Sequence, residues 1–256
     1  MLLERKIPHL KNKITHSTQK LDFEFKTKLR SIYMDWIRMK ILAISDPHGD
    51  YSKIEKIMET AGDFDIAMIA GDLTHFGPDA KVKELMEMFD KPVLAIPGNC
   101  DQKSILKALD TSKAINMHGK VEQIGKIRFI GLGGSNLTPF NTPFELSEEE
   151  IERVLKCMFY SAENTENHGP IVLLTHAPPH GVRDELPLGH VGSKAIEKFV
   201  DRVDLIVCGH IHEAKGLENI GTTMVVNPGE ACKGSYALIT IEDAKSKPIE
   251  VEFKEV

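Results

Sequence analysis

Five short stretches of this chain carry side chains that can bind cations or move protons: Asp46-Pro47-His48, Gly71-Asp72, Gly98-Asn99, His176 and Gly209-His210-Ile211-His212. Each closes an apolar run. Ile41 to Ser45, Asp65 to Ala70, Pro92 to Ile96, Pro170 to Thr175 and Asp204 to Cys208 read as strands ended by Gly, Pro or a polar residue. Taken singly, Asp46-x-His48 is a polar turn, Asp72 a cap, Asn99 a left-handed turn residue and His176 a hydrogen-bonded loop residue. Taken together, they put Asp, Asn or His at the end of every one of these strands, which independent caps would not do. Three carboxylate or amide oxygens and four imidazoles exceed what one divalent ion takes and suit two. Only an Asp in this set is suited to bridging such a pair.

The elements that must position these residues alternate. Ser52 to Ala61 has helical spacing, with Ser52 as N-cap and Gly62 as stop, and Pro78 to Phe89 reads as a second helix. Strand and helix in turn are the pattern of a mostly parallel sheet, in which ligands gather at the carboxyl ends of strands. Val121 to Leu132 reads as a hairpin turning at Gly125-Lys126, and Gly133 to Glu145 as a long loop. Ser147 to Ser161 is a helix opened by a capping box of Ser147 and Glu150. Ala177 to Gly189 is a Pro/Gly-rich loop, Gly192 to Asp201 a helix, and Thr223 to Val226, Ser235 to Ile241 and Pro248 to Phe253 are short antiparallel strands. The expected fold is α/β, one domain of two sheets flanked by helices.

At 256 residues, 41% hydrophobic and 27% charged, the chain has the composition of an ordinary globular protein. No apolar run nears the roughly 20 residues of a membrane span, and no signal-peptide core follows Met1 to Arg5, so a cytoplasmic protein with no membrane partner is expected. Cys100, Cys157, Cys208 and Cys232 are scattered without CxxC spacing, against both a disulfide framework and a thiolate zinc site. The net charge of −6 is uneven: residues 1–39 hold nine Lys/Arg and four Asp/Glu, leaving −11 on the rest. Residues 1–38 are expected to be a basic N-terminal appendage, helical or disordered, ahead of a domain over 39–256. The acidic body argues against extended nucleic-acid binding.

The order DPHGD (46–50), GD (71–72), GNCD (98–101), strand-terminal His176 and GHIH (209–212) resembles the calcineurin-like metallophosphoesterase superfamily from about Lys40 onward. The strings LLTHAPPHGV, HVGSKAIEKF, LIVCGHIHEAKG and VVNPG are similar, more narrowly, to its class III phosphodiesterase-like branch of small bacterial and archaeal members. The resemblance implies a four-layer αββα sandwich of two mixed β-sheets and a dinuclear centre. It implies that Asp46, His48 and His212 bind one metal, that Asn99, His176 and His210 bind the other, and that Asp72 bridges. Bridging hydroxide would then attack a small phosphodiester substrate in line, with Asn99 and His176 as catalytic residues and Asn99 also orienting phosphate.

The mixed oxygen and imidazole donors suit Mn²⁺, Fe, Zn²⁺, Co²⁺ or Ni²⁺, and manganese is expected. Asp50 and Asp101 are candidates to accept the free N–H of ligating histidines. His75, His180, Arg183 and His190 are expected to rim the pocket, with His180 and Arg183 binding substrate. One departure stands out: many phosphomonoesterases of the superfamily have His where this chain has Cys100, so diesters or esters with good leaving groups are expected over alkyl monoesters. The competing functions are a non-catalytic binding or scaffold module on the same fold, and a nuclease.

Overall fold

A computed structural model describes residues 38–163, 169–187, 189–242 and 249–256. Residues 1–37, almost all of the basic segment, lie outside the described residues, and so does Pro248. The chain runs β1 (Arg38–Ile44), α1 (Ile54–Ala61), β2 (Ile66–Ala70), α2 (Ala80–Glu87), β3 (Val93–Ile96), α3 (Ile105–Asp110), β4 (Ile115–Asn116), β5 (Lys120–Ile124) and β6 (Ile127–Leu132). It continues through β7 (Ser135–Asn136), β8 (Glu145–Leu146), α4 (Glu148–Glu163), β9 (Ile171–Thr175), β10 (Glu185–Leu186), β11 (Gly189–His190), α5 (Lys194–Glu197) and β12 (Leu205–Val207). Four strands close it: β13 (Gly216–Ile220), β14 (Thr223–Asn227), β15 (Ser235–Glu242) and β16 (Glu250–Glu255).

Two six-stranded sheets carry the molecule, in the orders β16-β15-β1-β2-β3-β4 and β13-β14-β12-β9-β6-β5. Strands β1 to β4 run parallel, with β15 and β16 added antiparallel; β6, β9, β12 and β14 run parallel, with β5 and β13 as antiparallel edges. Strand β1 shows why its sequence reads as one apolar run. Ile41 and Ala43 face the core between the sheets, Leu42 and Ile44 the core under the helices, and all four are fully buried. One core joins the inner faces of both sheets through residues such as Met68, Leu94, Phe129 and Leu174. A second packs α1, α2 and α3 on the first sheet, and a third packs α4 and α5 on the other. The result is four layers, helix, sheet, sheet, helix, as the resemblance implies.

Several local expectations change. Helix α1 starts at Ile54 with Lys53 at its cap position; Ser52 makes no cap and instead donates its N–H to Asp50. Helix α3 and strand β4 fall where no element was expected, being too short to show a period. The helix expected over 192–201 is the four-residue α5 followed by a 3₁₀ turn at Val200–Arg202. Strand β14 pairs parallel with β12 as well as antiparallel with β13, a strand that periodicity did not separate from the preceding turn. The capping box forms in both directions, Ser147 N–H to Glu150 at 2.9 Å and Glu150 N–H to Ser147 Oγ at 3.2 Å. The hairpin turns at Gly125.

Candidate metal centre

The exits of β1, β2, β3, β9 and β12 meet at one edge. Asp46 N–H donates to Gly71 O (3.1 Å), His48 N–H to Asp72 O (2.9 Å) and Gly209 N–H to His176 O (2.9 Å), so the loops are laced together by backbone. Asp46, His48, Asp72 and His210 hold φ of 55°, 48°, 50° and 67°, a left-handed conformation that side chains other than Gly and Asn adopt at a cost. The glycines before the ligands answer to space. A Cβ on Gly98 would stand 2.1 Å from Asp72 Oδ1, one on Gly71 2.4 Å from His176 Nδ1, and one on Gly209 2.4 Å from Asp46 Oδ2.

The side chains fall into two overlapping sets. One donor atom from each of Asp46, His48 and His212 lies within 4.8 Å of the other two, and the same holds for Asp46, Asp72 and His176. The Asp72 carboxylate spans both sides, with Oδ2 3.7 Å from His48 Nδ1 and Oδ1 3.5 Å from His176 Nε2. Asn99 Oδ1 lies 2.8 Å from His176 Nε2, and the His210 ring is edge-on to His176 with centroids 5.0 Å apart. All seven residues named from the sequence therefore converge.

Hydrogen bonding fixes which atoms face inward. Thr142 Oγ1 donates to Glu145 (2.6 Å), so it accepts from Asn99 Nδ2 (3.0 Å), which turns Asn99 Oδ1 toward His176. His176 Nδ1 lies 2.8 Å from Ala70 O and must donate to it, leaving Nε2 to face Asn99 Oδ1. At 2.8 Å this contact holds a proton or a cation between nitrogen and oxygen. The second set repeats the pattern. His212 Nδ1 lies 3.2 Å from Glu230 Oε1, which leaves its Nε2 3.3 Å from both Asp46 Oδ1 and His48 Nε2. Asp46 Oδ1 and His48 Nδ1 are buried and make no hydrogen bond. This donor chemistry, one orphaned carboxylate oxygen and one orphaned imidazole nitrogen among converging donors, fits divalent cations.

Electrostatics divide the imidazoles. Burial alone would lower His176, but the Asp72 carboxylate lifts it to about 9; burial, reinforced by His176, drops His210 to about 4. Burial would likewise raise Asp72, yet His176 holds it below the usual carboxylate range. Burial and Asp72 push the Cys100 thiol up, so it stays protonated.

The outer residues are held by partners of their own. Asp50 is exposed and accepts from Ser52, and Asp101 accepts from the N–H groups of Leu73, Thr74 and Gly98 and from the Thr74 hydroxyl, so both shape loops rather than orient histidines. His180 faces Glu197 at 3.7 Å and the His190 ring. Arg183 Nε and Nη2 donate to the carbonyls of Ala214 and Lys215. Asn99 Nδ2 faces Thr142 and Cys100 Sγ, so its donors point away from the set that its oxygen joins. Three orienting groups went unread in the sequence: Glu230, Thr142 and the Ala70 carbonyl. Each lies far along the chain from the residue it holds, and no spacing signals it.

The model of the calcineurin-like phosphoesterase family matches residues 39–214. An uncharacterized protein of Methanocaldococcus jannaschii is 42% identical over 74% of this chain and 88% of its own length. A probable cyclic nucleotide phosphodiesterase of Vesicomyosocius okutanii is 25% identical over 75% of this chain and 86% of its own. Among solved structures, TT1561 of Thermus thermophilus superposes with a TM-score of 0.64 at 19% identity, covering 84% of this chain and 98% of that one, which is a likeness of fold. With the family match spanning all five of these strand ends, the chain belongs to the calcineurin-like phosphoesterase family.

Proposed function

We propose that this phosphoesterase is a metal-dependent phosphodiesterase working through a dinuclear centre. The observation that carries the reading is the overlap of two donor groups, Asp46 with His48 and His212 and Asp46 with Asp72 and His176, in which the buried Asp46 Oδ1 and His48 Nδ1 make no hydrogen bond. Asp46, His48 and His212 would hold one cation and Asn99, His176 and His210 the other, with Asp72 shared. These oxygen and imidazole donors accept Mn²⁺, Fe, Zn²⁺, Co²⁺ or Ni²⁺ alike, and availability decides among them; Mn²⁺ is the ion proposed.

Two divalent cations supply Lewis acidity to phosphoryl oxygens and make water acidic enough to attack at neutral pH. The chain's own residues do the rest. Ala70 O and Glu230 fix the tautomers of His176 and His212, keeping both Nε2 atoms free to bind. Asp46 is steadied by Ser45 Oγ (2.5 Å) and His210 N–H (3.2 Å) on Oδ2, leaving Oδ1 for the centre. Cys100, a neutral thiol, is a weak proton donor to a leaving alkoxide, which supports diesters and good leaving groups over alkyl monoesters. The name of the Vesicomyosocius okutanii relative points to the same reaction class. The four cysteines are free, which supports a reducing compartment such as the cytoplasm.

The test is hydrolysis of bis-p-nitrophenyl phosphate against p-nitrophenyl phosphate, on protein stripped by chelator and resupplied with Mn²⁺. The expected result is diester turnover that requires metal and exceeds monoester turnover at least tenfold. Folded protein inactive with every divalent metal would contradict it.

A further inference from the structure

A donor group that shares only His48 with this chemistry stands against the centre. One donor atom each from His48, His75 and Cys100 lies within 4.8 Å of the other two. His75 is exposed, its ring edge-on to His48 with centroids 5.7 Å apart, and Cys100 is half-buried. The two loops that carry His75 and Cys100 are tied to each other, Phe76 N–H donating to Cys100 O at 3.0 Å, and to the centre, Cys100 N–H donating to Asp72 Oδ1 at 2.8 Å. The juxtaposition is therefore set by backbone and not by side-chain chance.

One thiol sulfur and two imidazoles form a softer set than the thiol-free centre of carboxylates, amide and imidazoles beside it. Such a set selects Zn²⁺ or Cd²⁺ over Mn²⁺, in a tetrahedral arrangement with one position left to water. With metal–donor lengths of about 2.0–2.3 Å, tetrahedral donors stand about 3.5 Å apart, so a group whose atoms lie within 4.8 Å of one another has at most about 1.3 Å to close. The exposed His75 has the room to do so by side-chain rotation.

We propose that His48, His75 and Cys100 form a separate site for one thiophilic divalent cation, Zn²⁺ or Cd²⁺, and that filling it inhibits the enzyme because His48 is shared with the catalytic centre. The thiol gives its proton to solvent as the sulfur–cation bond forms. Only the inhibition rests on the phosphodiesterase reading; the binding does not.

The experiment titrates Cd²⁺ into the manganese-loaded full chain, following ultraviolet cadmium–thiolate absorption and, in parallel, bis-p-nitrophenyl phosphate turnover. The absorption should saturate at one Cd²⁺ per chain. It should vanish in Cys100→Ser and need at least tenfold more Cd²⁺ in His75→Ala, whose exposed position makes misfolding no explanation. Turnover should fall along the same curve, and His75→Ala should resist Cd²⁺ by the same factor. No absorption in the wild type would overturn the site, as would absorption unchanged in Cys100→Ser, which would assign it to Cys157 or Cys232, or unchanged affinity in His75→Ala. Absorption that saturates while turnover persists would overturn the shared role of His48. An inactive wild type would sink the phosphodiesterase reading alone, since the absorption still decides the site.

Discussion

A nitrogen lone pair and a carbonyl oxygen do not rest 2.8 Å apart without a proton or a cation between them. At His176 and Asn99 the alternatives compete for the same place, and this sets a pH dependence. His176 is lifted from its ordinary 6.5 to about 9 in the metal-free chain, chiefly by Asp72 against the pull of burial. Its pairing with Asp72 thus stabilises the metal-free fold fully below pH 6.5, and that stability is lost as pH rises through 9. Metal must displace this proton. Apparent Mn²⁺ affinity should therefore rise on the order of tenfold per pH unit from about 6.5 to 9 and level off above. Calorimetry in buffers of different ionisation heat should find a proton released from His176 at pH 7.5, and a release abolished in His176→Ala. Affinity flat across that range would contradict the assignment of His176 as a ligand.

At the scale of elements, the centre depends on how closely strand exits approach. Gly98 lies at the end of β3 against Asp72 on the neighbouring exit, and a methyl group there would overlap the carboxylate. Gly98→Ala should cut metal-dependent turnover at least a hundredfold and lower the melting temperature, because the added Cβ meets both the carboxylate of Asp72, a proposed ligand, and its backbone nitrogen at 2.2 Å, so the β2 exit must shift. Gly62→Ala, where an added Cβ meets nothing within 4 Å, should leave turnover unchanged. The same packing explains what could be read from the sequence. The exits were legible because each is an apolar run followed by a ligand, in most cases beside a Gly that close approach demands. Glu230 and Thr142 were not, since a single acceptor in a distant turn carries no period. Helix α3 spans fewer than two turns, and β14, buried on its β12 side, shows nothing in its residues that distinguishes parallel from antiparallel pairing.

Across the whole molecule, the site needs more of the chain than the family match covers. The match ends at Ala214, yet β14 and β15 pair with interior strands, and the turn between them brings Glu230 to His212. Ala231 N–H also donates to Ser45 O at 2.8 Å, bracing the exit that carries Asp46. At the other end Arg38 already pairs with Glu242. We therefore propose that the functional domain runs from there to the C-terminus. A chain beginning at Arg38 should keep its melting temperature within about 2 °C and its turnover within twofold, whereas one ending before Glu230 should not fold. Loss of activity on removing residues 1–37 would give that segment a catalytic role and contradict the proposed boundary.

The central claim is the proposal that the chain holds two cations with Asp72 between them. It is tested most directly by counting manganese per chain, by elemental analysis of protein reconstituted with Mn²⁺ and passed through a desalting column, in the wild type and in Asp72→Ala. The account predicts two ions in the wild type and no more than one in the variant. A single ion in the wild type, or two in both proteins, would contradict it.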